Sequence, residues 1–256
     1  MKIKLLLFVL LTLYLQNCDS FLSNQSSSDK GGICLTFDDN YINQWYKTAL
    51  FLKQKNMKAT FFVSHIYNLS NDEINKLQKI DSLGFEIGCH GWNHLNAATY
   101  LETHTLNEYY EEEILPAISF MENYGLTPSA FAYPGGVHND SLDQFLLQYF
   151  DILRGVTFEQ VKSLTKNVDE IDEIFIKRKE QSVVDGLGID IQYGISEEML
   201  TNGLFRASEQ DEIIILYAHC PEDSNAQHYQ INKSYLEHLI LKCEELDLKS
   251  YLVSEI

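Results

Sequence analysis

A chain of 256 residues with 45% hydrophobic content can bury one sizeable core, and α/β barrels of this length fold as single domains. The formal net charge of −18 excludes nucleic-acid binding as a function class, because a phosphate backbone is held by Lys and Arg that displace its counterions. As a bulk property, the acidity otherwise speaks only for solubility.

At the N-terminus, Met1-Lys2-Ile3-Lys4 is a short basic stretch, and Leu5 to Leu15 is an apolar run too short to span a bilayer comfortably. Residues 1–18 are therefore expected to be an export signal. Leu15-Gln16-Asn17-Cys18 places a cysteine where a bacterial lipoprotein is processed, although Asn17 stands where a small residue is usual. The expected location is the bacterial cell envelope, the periplasm or the outer surface, with membrane contact only through a lipid anchor at Cys18. Residues 19–30 are polar and Ser-rich, the composition of a flexible tether, and residues 31–256 are expected to form the catalytic domain. The remaining cysteines, Cys34, Cys89, Cys220 and Cys243, read as small core residues, and the lack of a CxxC pair disfavours a Cys-rich zinc site.

From Lys30 the chain alternates strand-like and helix-like segments, the pattern of parallel βα units. Strands are predicted at Ile33–Phe37, Ala59–Val63, Glu86–Cys89, Ala130–Tyr133, Ile152–Arg154, Ile213–Ala218 and Ser250–Val253, with helices at Ile42–Lys55, Asn71–Leu83, Thr105–Tyr124, Ser141–Tyr149 and Lys233–Leu246. Seven or eight such strands would close a barrel. Glu159 to Asn202 resists assignment, since Asp185-Gly186 and Gly188 interrupt its short apolar runs.

Five polar groups stand where apolar strands should end: Asp38 and Asp39, His90 and His94, and His219. Strand ends are where parallel α/β folds build active sites. In His90-Gly91-Trp92-Asn93-His94 the four-residue spacing would, on a helical turn, converge two imidazoles on a divalent metal; a solvated or core histidine pair answers to the same spacing. A zincin-type protease needs Glu after the first His, where Gly91 stands. Adjacent acids can take separate roles where a strand bends into its loop, one binding metal and the other accepting a proton, while the plainer use of such an Asp is to cap the next helix.

Thr36-Phe37-Asp38-Asp39, His90-Gly91-Trp92-Asn93-His94, Phe131-Ala132-Tyr133-Pro134-Gly135-Gly136 and Leu216-Tyr217-Ala218-His219 follow one another in an order that resembles the NodB-type polysaccharide deacetylases, carbohydrate esterase family four. The resemblance runs from about Gly31 to the C-terminus. It implies a distorted (β/α) barrel of about seven parallel strands, with the motifs lining one groove at the strand C-terminal ends. Carried over residue by residue, it makes Asp39, His90 and His94 the metal ligands, Asp38 the catalytic base and His219 the general acid. Zn is the expected metal, with Co, Ni or Mn compatible with the same donors. Tyr133, Pro134 and Gly135 would contribute to the sugar groove, with packing the alternative for Tyr133 and Trp92, and Leu216 or Tyr217 would line the pocket for the acetyl methyl group.

Two departures stand out. Ala132 occupies a position where many relatives carry an Arg that pairs with the catalytic Asp, and Arg178 is the candidate to supply that charge from another strand, against a surface basic cluster. No equivalent is evident for the family's Asp-Trp motif, whose Asp steadies the acid histidine. The expected function is metal-dependent removal of N-acetyl groups from a GlcNAc-containing glycan. O-deacetylation of a xylan-type polysaccharide and a non-catalytic glycan-binding barrel are the alternatives. His65, His104, His138, His228 and His238 read as structural or solvated.

Overall fold

The computed structural model describes residues 30–158, 166–223 and 225–256. The expected export signal, the tether and Cys18 lie outside the described residues. Strands are β1 (Gly32–Asp39), β2 (Thr60–Val63), β3 (Glu86–Cys89), β4 (Ala130–Ala132), β5 (Ile152–Val156), β6 (Phe175–Ile176), β7 (Val183–Gly188), β8 (Ile213–Ala218), β9 (Cys220–Glu222), β10 (Gln230–Asn232) and β11 (Lys249–Tyr251). The α-helices are α1 (Ile42–Gln54), α2 (Asn71–Ser82), α3 (Ala97–Tyr100), α4 (Leu106–Tyr109), α5 (Leu115–Asn123), α6 (Asp140–Leu146), α7 (Glu197–Glu209) and α8 (Lys233–Glu245).

Seven parallel strands close on themselves in the order β1-β2-β3-β4-β5-β7-β8, with β8 returning to pair with β1 along Gly32–Phe37. Closure leaves no open edge in the ring. Helices cover the outside with apolar stripes at helical spacing: α1 buries Ile42, Trp45, Ala49 and Leu52, and α2 buries Ile74, Leu77 and Ile80 behind a Ser70–Glu73 capping box. Alternation along each strand separates the outer core from the barrel interior. On β8, Ile214, Leu216 and Ala218 join the large outer core, whereas Ile213 and Ile215 join the smaller cluster with Cys34, Phe62, Ala132 and Ile152.

Two elements differ from the sequence expectation. The seventh barrel strand is β7, within the unassigned stretch, and Ser250–Val253 corresponds to β11, which lies outside the ring and, among the described residues, pairs only with Gly32–Cys34 of β1. Packing requirements explain why β7 lacks an apolar signature. A Cβ on Gly188 would lie 2.3 Å from the Tyr193 ring, and one on Gly186 would lie 3.4 Å from the Arg154 and Tyr217 side chains. The predicted helix over Thr105–Tyr124 is three pieces, α4, a π-helical turn at Tyr110–Ile114 and α5. Cys34, Cys89, Cys220 and Cys243 are free and buried, as read from the sequence.

Candidate active site

β1 carries Asp38 and Asp39 to the C-terminal mouth of the barrel. Asp38 is buried, while Asp39 adopts φ +86° and is half-exposed, so the backbone turn sends the two carboxylates to different surroundings. Neither caps α1, whose N-cap position is Tyr41 with no side-chain bond. His90 and His94 leave β3 on an irregular loop rather than the helical turn expected, with Gly91 at φ +82° and His94 at φ +56°. The loop nonetheless brings His90 Nε2 to 3.8 Å and His94 Nε2 to 3.4 Å from Asp39 Oδ1.

One ligand atom from each of Asp39, His90 and His94 lies within 4.8 Å of the others, a spacing that suits a single divalent cation. His90 Nδ1 bonds the Ala132 carbonyl at 2.8 Å, which fixes the ring and turns Nε2 to the triad. Burial drives the His90 pKa down to about 4 and lowers that of His94, so both rings are neutral and their lone pairs available. Asp38 Oδ1 is buried beside them with no hydrogen-bond partner. The donor set therefore fits a metal centre with an acceptor next to it.

The charge missing at Ala132 comes from Arg154, one strand away. Ala132 and Arg154 are direct register partners on β4 and β5, and the fully buried guanidinium pairs through Nη2 with Asp38 Oδ2. Its cation also lies over the rings of Tyr217 (5.1 Å) and Phe62 (5.4 Å). Burial alone would raise the Asp38 pKa, but Arg154, then His90 and His219, hold it below the ordinary carboxylate value. Arg178 is placed elsewhere: its Nε donates to the Glu255 carbonyl at 2.7 Å and its cation lies over Tyr251.

His219 follows β8, and Asp190, just past β7, receives both its backbone N–H (3.1 Å) and its Nδ1 (2.5 Å). Asp190 thus does for His219 what an Asp-Trp motif would do. Burial opposes charge on the imidazole, yet Asp190 and then Asp38 outweigh it and raise the His219 pKa above its ordinary value. The Trp45 indole of α1 donates to the His219 carbonyl at 2.9 Å, tying the loop to the helical layer.

Glu113 anchors the loop that carries His90 and His94. It sits fully buried in the π-helical turn, and its carboxylate accepts the N–H groups of Asn93 and Leu95, each at 2.8 Å. Its carbonyl accepts from Trp92 N–H at 2.9 Å. Gly91 makes room for it, since a Cβ there would lie 2.1 Å from Glu113 Oε1. A π-bulge that re-aims one side chain at a functional loop is a recurrent use of that rare geometry.

Asp38, Asp39, His90, His94, Arg154 and His219 line a cleft of about 740 Å³, joined by His65, Gly135, Gly136, Tyr193, Tyr217 and Tyr229. Of the predicted groove residues, Gly135 and Tyr217 reach the cleft. Tyr133 borders it but is almost wholly buried, its hydroxyl donating to Asp143 at 2.6 Å. Pro134 is buried outside the lining, and Leu216 faces the helices, on the opposite side of β8 from Tyr217, so it has no access to an acetyl group. His65, read as structural or solvated, borders the cleft and stacks on His94 at 6.1 Å. His138 is structural, clamped by Asp185 and Asp143 with its pKa raised to about 9.

Arg154 and Asp190 were missed because the first lies within β5 and the second just past β7, and the motifs mark neither place. A lone Arg inside Ile152-Leu153-Arg154-Gly155-Val156 was the available signal, since a charge in a buried strand needs a partner. Nothing in Glu111-Glu112-Glu113 distinguishes the buried acid from its exposed neighbours.

The polysaccharide deacetylase family model matches residues 25–149. Among solved structures, the chain resembles the chitin deacetylase of the fungal pathogen Colletotrichum lindemuthianum, at 16% identity and TM-score 0.57 over 88% of this chain and 86% of that one. It also resembles a peptidoglycan deacetylase from Bacillus subtilis, at 18% identity and TM-score 0.53 over 89% and 90%. A family 4 acetyl xylan esterase from Clostridium thermocellum, solved with a cobalt ion, shares 16% identity and TM-score 0.53 over 87% and 88%. At these identities the likeness is one of fold. No curated protein sequence matches the chain.

Two variants test the supports. Arg154→Met leaves the Asp38 carboxylate buried without its cation and is expected to cost about 3 kcal/mol of stability in urea unfolding. Glu113→Gln replaces an acceptor-only group with one that also presents N–H donors to the loop amides; zinc affinity, measured by chelator competition, is expected to fall roughly tenfold or more.

Proposed function

We propose that the chain, which resembles the NodB-type polysaccharide deacetylases and matches the polysaccharide deacetylase family model over residues 25–149, is a metal-dependent hydrolase removing N-acetyl groups from a GlcNAc-containing polysaccharide. The observation that carries the amide reading is His219, bonded through Nδ1 to Asp190, which raises its pKa, in the same cleft as Asp38, whose pKa Arg154 lowers. An amide nitrogen cannot leave as an anion, so the enzyme needs a proton donor that survives near neutral pH.

Asp39, His90 and His94 would hold the cation, zinc by default, which when bound polarises an acyl carbonyl and acidifies water. Asp38 acts as base. Arg154 fixes its Oδ2 and leaves Oδ1 to take a proton from the attacking water. As the carbon–nitrogen bond breaks, His219 gives the proton on Nε2 to the departing amine, while Asp190 on Nδ1 stabilises the imidazolium before transfer and orients the ring. The products are acetate and a glucosamine unit. Tyr217, rather than Leu216, supplies the cleft wall beside His219 and is the candidate to meet the acyl group.

O-deacetylation of a xylan-type polymer uses the same groups with less demand on His219, because an alkoxide leaves more readily. A barrel that only binds glycan has no use for an Arg-paired base and an Asp-paired acid around one metal triad. The basic and apolar N-terminal pattern supports export to the cell envelope, where such glycans lie.

Acetate release from N-acetylglucosamine oligosaccharides, peptidoglycan and acetylated xylan, with chelator and with added zinc, tests the reading. Metal-dependent release is expected, with amide turnover exceeding ester turnover, and Asp38→Asn is expected to lower kcat by about 10³-fold; faster release from acetylated xylan would favour the esterase. The pH profile tests the acid separately. Asp190 raises the pKa of His219, so in Asp190→Asn the acid loses its proton at lower pH, and the alkaline limb of kcat/KM is expected to move downward.

A further inference from the structure

Beyond β8 the short parallel pair β9–β10 brings Tyr229 to the cleft, next to His219. The backbone there is costly: φ is +59°, a region that a bulky side chain rarely occupies. Two hydrogen bonds hold it. The Tyr229 N–H donates to Gln192 Oε1 at 2.8 Å, and its carbonyl accepts from Cys220 N–H at 3.2 Å. Gln192 comes from the same segment as Asp190, so the group that steadies the His219 ring and the group that seats Tyr229 share one support.

The result is an aromatic side chain with half its surface exposed, packed edge-to-face on His219 with ring centroids 5.1 Å apart and planes at 75°. Packing for its own sake would have taken the ring out of water. Local strain kept at a functional cleft is instead the sign of a side chain whose position matters to a ligand.

We propose that Tyr229 is a stacking platform for the sugar ring that carries the acyl group. A pyranose presents a face of C–H bonds, whose polarisation suits the negative face of an aromatic ring, while its hydroxyls remain free for the polar cleft. The nitrogen that His219 must protonate is bonded directly to the sugar ring. That ring must therefore lie within a bond or two of the imidazole, where Tyr229 stands. The inference rests on the deacetylase reading for its choice of sugar, and it adds a residue outside the metal and proton-transfer groups.

Tyr229→Asn removes the ring with a residue that tolerates the left-handed backbone, and Tyr229→Phe keeps the ring without the hydroxyl. Calorimetric affinity for a β-1,4-linked N-acetylglucosamine tetrasaccharide is the first readout. The second is the ratio of kcat/KM on that tetrasaccharide to kcat/KM on 4-nitrophenyl acetate, which has no sugar. Tyr229→Asn is expected to weaken binding and lower the ratio, each by roughly tenfold, with Tyr229→Phe staying within about twofold of the parent. Equal affinity and an equal ratio in Tyr229→Asn would overturn the platform and leave the deacetylase reading standing, as would a parent protein that releases acetate yet shows no Tyr229-dependent binding. Tyr229-dependent binding by a parent that releases no acetate would sink the deacetylase reading and support the platform. A parent that does not bind the tetrasaccharide overturns the platform.

Discussion

The Arg154–Asp38 pair inside the barrel is the constraint around which the site is built. Two charges withdrawn from water are tolerated only when their geometry compensates the lost hydration. Here a guanidinium lying over Phe62 and Tyr217 meets a carboxylate on the far side of the barrel interior. Neighbouring positions give way to it. Ala132 beside it is small, Gly186 presents no side chain, and a Cβ on Gly88 would lie 2.4 Å from the Phe62 ring that flanks the cation. The composition of three strands thus follows from housing one charge.

The other reactive groups share a plan, each with one neighbour that limits its freedom. His90 is oriented by a carbonyl of β4, the loop bearing His94 is gathered by Glu113, and His219 is held by Asp190. These neighbours come from elements remote in sequence, so the site is rigid only once the barrel has closed. Groups fixed before substrate arrives need no reorganisation during reaction.

Much of this was legible in the sequence, and the exceptions have physical causes. Six of the seven barrel strands announce themselves as apolar runs, and the residues at their ends mark the mouth of the barrel. β7 does not, because Gly186 faces Arg154 and Tyr217 and Gly188 yields to the Tyr193 ring, which erases the apolar pattern. The local stretch Phe131–Gly136 invites a search for an arginine at position 132, but the barrel interior receives its cation from the register partner on the next strand. Leu216 and Tyr217 are indistinguishable as neighbours until strand alternation assigns one to the helices and the other to the cleft. Asp190 and Glu113 owe their roles to distance in space, which spacing in sequence does not encode.

The four buried cysteines carry a consequence of a different kind. Thiol exchange and oxidation proceed through the thiolate, and burial pushes the thiols of Cys89, Cys220 and Cys243 up to about 12 and raises Cys34 as well. Once folded, these sulfurs are screened from disulfide chemistry both by lack of access and by holding their protons. Sensitivity to an oxidising compartment is thereby confined to the interval before the barrel closes, when the same four side chains are exposed on an open chain and wrong pairings compete with folding.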